Sequence, residues 1–224
     1  ILLKIMATNG DSVAPEDCFD VEKVTNIFER SLIDEDDVRM DDYLEAYEEI
    51  MKFFLLMGSV FTFVSSDVRS KLDILYEFRK TDTDELQHFN TIKTMLLYEK
   101  DGNLLLQKGY VSGSRTLLRL HRGLEFVYEF LNRLLTVADD EKAHNVCKSA
   151  YNDTLAKYHA FLIRKGAQVA MYTIPTRGDL LRRVCCNMEV ARALELLPEM
   201  LTQMRLAYDR TNELYTLHDL HELP

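Results

Sequence analysis

The chain has no tryptophan and, in 224 residues, only 8 glycines, 4 prolines and 4 cysteines. So little Gly and Pro excludes collagen-like and low-complexity chains and leaves too few turn residues for an all-β sandwich. The longest apolar run, residues 53 to 64, is about a dozen residues against the roughly 20 needed to span a bilayer, and reads as a core helix. The opening apolar residues, Ile1 to Lys4, are too few for a signal-peptide core, and no small-residue cleavage site follows before Asp11. The cysteines Cys18, Cys147, Cys185 and Cys186 lack C-x-x-C spacing, and a bond between the adjacent Cys185 and Cys186 would be strained. Reduced thiols and a cytosolic setting are therefore expected.

Positive charge is missing from one stretch in particular. Residues 11 to 50 hold 15 acidic side chains against 3 basic ones, whereas residues 51 to 224 are nearly balanced. This argues against nucleic acid as a partner, and the acidic stretch is expected to form a solvated face.

What is abundant is Leu, Glu, Lys, Arg and Met, all good helix formers, in a chain that is 47% hydrophobic. The expectation is an all-α fold with one domain over residues 19–224, preceded by a disordered or expression-derived tail at 1–18, and a monomer. Asp20 is placed to cap a first helix through Val21, Val24, Ile27 and Phe28, and an acidic loop follows at 34–37. Helical periodicity then runs from 41 to 79, interrupted near Gly58 or at Ser65 and Ser66. Further helices are expected from Thr81 and Asp84 through Phe89 to about 101, from Arg115 to Leu135, and after Asp140 through Tyr151, Leu155, Tyr158, Leu162 and Val169 to Pro175. Two more close the chain, over 178–186 and 189–217.

Two charged patterns stand out. Phe53, Met57, Val60, Phe61 and Val64 share a helical face that, continued by three and four residues, reaches Asp67 and Lys71. An ordinary surface pair accounts for this, and so does a polar site at the mouth of an apolar cavity. Arg115, Arg119 and Arg122 in turn recur on one face of a helix. Like charges at that spacing repel, so the stripe is either a solvated face or the seat of an anion, for which guanidinium groups are well suited.

The residues around these patterns resemble the glycolipid transfer protein superfamily, and within it the ceramide-1-phosphate branch. FTFVSSDVRSK at 61–71 is similar to its headgroup segment and SRTLLRLHR at 114–122 to its second recognition segment. YN at 151–152 with KYH at 157–159 is similar to the third, and YTIPTR at 172–177 and the terminal 214–224 to later landmarks. The resemblance covers roughly 21–224, in matching order.

It implies a two-layer helical sandwich with an expandable apolar pocket, lined by Phe53, Phe54, Met57, Phe61, Val64, Leu124 and Leu155. By position, Asp67 would accept hydrogen bonds from the sphingoid amide and hydroxyl, and His159 would donate to the acyl carbonyl. Lys71, Arg115 and Arg119 would hold the phosphate, with Lys108 and Arg122 as additional cations. Lys71 stands where the glycolipid-binding members carry Asn, which favours a phosphate over a neutral sugar. Phe161, Ile163, Arg164, Lys165 and Tyr172 would give a patch for transient contact with membranes.

The implied function is transfer of a phosphorylated sphingolipid, ceramide-1-phosphate, without catalysis, metal or cofactor. The alternatives are transfer of a neutral glycosphingolipid and a helical adaptor that senses lipid without moving it. A di-iron enzyme is a weaker rival: Glu85 with His88 and Glu141 with His144 have Glu-x-x-His spacing, but both pairs follow polar helix starts, where acids favour the helix dipole.

Overall fold

The computed structural model describes residues 17–83, 87–186 and 188–224. Residues 1–16 of the expected tail, and Asp84 and Glu85, lie outside them. Cys18, at the end of the expected tail, is buried together with Phe19.

Helix α1 (Val21–Ser31) starts where expected: the Asp20 carboxylate accepts the Lys23 backbone N–H at 2.9 Å, and Val21, Val24, Ile27 and Phe28 face the core. The acidic loop is the turn of a short antiparallel hairpin, β1 (Leu32–Ile33) with β2 (Asp37–Val38). Helix α2 (Met40–Met57) ends at Gly58, whose φ of 136° is open to glycine and strained for any other residue. A single 3-10 turn (Ser59–Phe61) leads into α3 (Thr62–Thr81), so of the two candidate breaks the chain uses Gly58, and Ser65 and Ser66 lie inside a helix.

Helix α4 (Ile92–Asp101) begins later than expected. Asp82 accepts the Phe89 N–H at 2.7 Å, which holds Phe89 outside the helix, and Thr91 and Thr94 form a reciprocal capping box. Helix α5 (Gly113–Leu134) opens on the Ser112 side chain. The next expected helix is two: α6 (Ala143–Asp153) and α7 (Phe161–Met171), separated by a 3-10 turn (Ala156–Tyr158). At the break the Thr154 hydroxyl donates to the Ala150 carbonyl at 2.8 Å. Leu162 and Val169, assigned to the buried face by a continuous period, are instead 80% and 68% exposed. Helices α8 (Arg177–Val184) and α9 (Val190–Leu217) complete a two-layer helical sandwich. In it α1 packs on α2 and α9, and α5 packs on α3, α6 and α9. No helix among the described residues is long and apolar enough to cross a membrane.

The cysteine expectation is corrected for two of the four. Cys18 and Cys186 form a disulfide across 168 residues, while Cys147 and Cys185 are free and buried. Sequence spacing hides such a pair, because only tertiary packing brings the start of α1 to the α8–α9 connection.

Candidate functional site

On α3, Lys71 and Asp67 sit one turn apart with their charged atoms 2.6 Å from each other; Lys71 is 14% exposed and Asp67 68% exposed. The helix face therefore turns outward at Asp67, and the pair alone is worth a few tenths of a kcal/mol. What makes it more than a surface pair is its neighbour. His159, just past the 3-10 turn, is half-buried, and burial holds its pKa below the usual histidine value; the Asp67 carboxylate works against that shift and Lys71 adds to it. Two segments far apart in the chain thus lie near each other. The Tyr151 hydroxyl lies 2.8 Å from His159 Nδ1.

Helix α5, packed on α3, supplies the cations. Its first turn is fixed by a residue that sequence reasoning did not single out. Glu99 of α4 is fully buried, and its carboxylate accepts four hydrogen bonds: from the Tyr110 and Ser112 hydroxyls at 2.9 and 2.6 Å, and from the Gly113 and Ser114 N–H groups at 2.6 and 2.9 Å. An anion at a helix N-terminus with four donors is well compensated. In the sequence Glu99 gives no signal, since Glu-Lys-Asp near a helix end reads as solvated. From the opposite side the Tyr215 hydroxyl donates to the Ser114 carbonyl at 2.6 Å.

Beyond this clamp come Arg115, Arg119 and Arg122. Arg115 is half-buried, and its Nε is buried without a hydrogen-bond partner among the described residues. Arg119 is exposed and donates one N–H to the Pro224 carbonyl at 3.1 Å. Arg122 donates to the His221 carbonyl at 2.6 Å and lies 4.1 Å above the Tyr158 ring, next to His159. Among the described residues none of the three is in an ion pair with an acid. Lys108 stands exposed in the α4–α5 connection and is not drawn into the cluster.

The expected apolar lining is packed. Phe53, Phe54, Met57, Phe61 and Leu124 are buried in one continuous core, with Val64 and Leu155 half-buried at its edge. Of these only Phe53 borders the enclosed apolar cavity, which has about 20 Å³ and is shared by Phe19, Leu131, Leu181 and Leu197. That is room for about one water-sized sphere. On the surface, Phe161, Ile163 and Tyr172 of α7 and its end are 60%, 54% and 63% exposed, with Lys165 Nζ 5.6 Å from the Phe161 ring.

The family model "Glycolipid transfer protein" matches residues 38–186. The chain belongs to the glycolipid transfer protein family. A rat ceramide-1-phosphate transfer protein is 34% identical over 94% of this chain and 99% of its own length, and a zebrafish one is 36% identical over 93% and 99%. The crystal structure of mouse ceramide-1-phosphate transfer protein superposes with a TM-score of 0.85 at 34% identity, covering 92% of this chain and all of that one. That of human ceramide-1-phosphate transfer protein in complex with 12:0 ceramide-1-phosphate superposes with a TM-score of 0.82 at 31% identity, with the same coverage.

Proposed function

We propose that this chain moves ceramide-1-phosphate between membranes. In this reading Lys71, Arg115 and Arg119 hold the phosphate, and Asp67 accepts from the sphingoid amide and hydroxyl. His159 donates to the acyl carbonyl, and Arg122 adds positive potential at the rim. The observation that carries it is the arginine face of α5, which no acid among the described residues neutralises, beside the Asp67, Lys71 and His159 cluster. A phosphomonoester carries about −1.5 to −2 charges near neutral pH and fits such a face; a neutral sugar leaves it uncompensated.

Burial is worth about 0.8 kcal/mol per CH₂, so lifting two chains of roughly 15 carbons into water costs about 20–25 kcal/mol. A sleeve made by parting Phe53, Phe54, Met57, Phe61, Val64, Leu124 and Leu155 offsets most of that cost with no covalent chemistry. The exposed apolar end of α7, flanked by Arg164 and Lys165, is the surface that meets the bilayer. We place the protein at cytosolic membrane faces, and alkylation of intact cells before lysis counts the free thiols, Cys147 and Cys185, against the bonded Cys18 and Cys186.

The test is exchange of ceramide-1-phosphate between donor and acceptor vesicles at catalytic amounts of protein. The expected result is many lipids moved per protein. Stoichiometric binding without faster exchange would make the chain a sensor and contradict the reading.

A further inference from the structure

Histidine recognises by what its free nitrogen offers, and that is set by the partner of the other nitrogen. Tyr151 is 3% exposed and its hydroxyl sits 2.8 Å from His159 Nδ1. Two arrangements fit that distance. If Nδ1–H donated to the phenol oxygen, the hydroxyl proton would have no acceptor among the described residues, the costlier arrangement for a residue this buried. If the hydroxyl donates to Nδ1, both groups are satisfied, Nδ1 is an acceptor, and the ring proton sits on Nε2. Burial lowers the His159 pKa from its ordinary value of 6.5, so at pH 7.5 the ring carries a single proton. The Tyr151 ring is itself fixed, packed edge-on against Phe126 with centroids 6.3 Å apart.

From this we infer that Tyr151 is a positioning residue that fixes His159 as the Nε2–H tautomer and thereby makes it a donor toward the lipid amide. The inference rests on the headgroup reading above and deepens it. Asp67, a carboxylate, can only accept, and so pairs with the amide N–H; the amide carbonyl needs a donor on the other side. With the opposite tautomer both side chains would be acceptors, and the carbonyl would go unpaired. Tyr151 thus keeps a donor facing the acyl carbonyl, while Asp67 reads the amide N–H.

The experiment combines ring ¹⁵N NMR of His159 at pH 7.5 with vesicle transfer of ceramide-1-phosphate for wild type, Tyr151→Phe, His159→Ala and the double variant. Wild type should show protonated Nε2 and unprotonated Nδ1, and Tyr151→Phe a mixture of tautomers with unchanged melting. Transfer should fall roughly tenfold in Tyr151→Phe, the size expected for one lost hydrogen bond, with no additional loss when His159 is already Ala. An Nδ1–H tautomer in wild type overturns the inference, as does a Tyr151→Phe loss of equal size in the His159→Ala background. Unchanged transfer in His159→Ala alone would instead defeat the headgroup reading, leaving the tautomer result to stand separately.

Discussion

Two charged regions of this molecule look alike in composition bias and differ in how the fold treats them. In the acidic stretch the fold supplies a cation for carboxylate after carboxylate: Asp36 with Lys93, Asp41 with Arg79, Asp42 with Arg30 and Arg39, Glu48 with Arg69, and Glu49 with Lys23 and Lys52. In the α5 stripe the fold supplies no acid among the described residues to Arg115, Arg119 or Arg122, and even leaves Arg115 Nε buried and unpaired. Saturated charge holds elements together; unsaturated charge held in place by a rigid clamp is available to a ligand. Part of the acidic stretch is therefore frame, with Asp42 and Glu49 buried, while Glu22, Glu29, Asp34, Glu35, Asp36 and Asp41 stay exposed as its composition suggests; the stripe is the candidate site.

The sharpest way to break this contrast is to disable one side and watch the other property. Asp67→Val is expected to lower ceramide-1-phosphate transfer at least a hundredfold while circular dichroism and cooperative melting stay near wild type; collapse of the fold would return Asp67 to a structural role. Arg115→Ala should cost about 2–3 kcal/mol of lipid binding, a loss of roughly 30-fold to 150-fold, because a charged hydrogen bond to phosphate disappears. The control is Glu48→Gln, which breaks a paired charge and should leave transfer within twofold; equal losses in the two would erase the distinction. Phe161→Asp should weaken vesicle attachment roughly tenfold in cosedimentation and leave stability unchanged.

The smallest effect concerns the frame. Arg79 beside Asp41 holds that carboxyl below its ordinary value of 3.8. Its contribution is present above the unfolded value and lost as pH falls from about 4 through the depressed folded one. Because Asp41 is 54% exposed, solvent screens the pair, and Asp41→Asn should cost about 0.5–1 kcal/mol in urea unfolding at pH 7. The difference from wild type should shrink below pH 4, and a difference that persisted there would point to packing instead.

Much of the fold is legible in the sequence where a local signal exists. Asp20 caps α1 and Gly58 ends α2, each because a side chain or a missing one acts on its own backbone. The split between α6 and α7 was not legible, since the apolar period runs on past Thr154 and neither Gly nor Pro marks the break. The Cys18–Cys186 bond and the pairing of the acidic stretch were hidden for another reason: their partners are far along the chain. For the site, spacing and motif order named Asp67, Lys71, His159 and the arginines, but not Glu99, whose role exists only once α4 and α5 are packed.

The central claim is that guanidinium groups on α5, which have no acidic partner among the described residues, read a phosphate. The most direct measurement is a competition transfer assay offering ceramide-1-phosphate, galactosylceramide and phosphatidic acid from the same donor vesicles, with wild type and Arg115→Ala. The account predicts rapid movement of ceramide-1-phosphate alone and its loss in the variant. Galactosylceramide moving equally well, in wild type and variant alike, would contradict it.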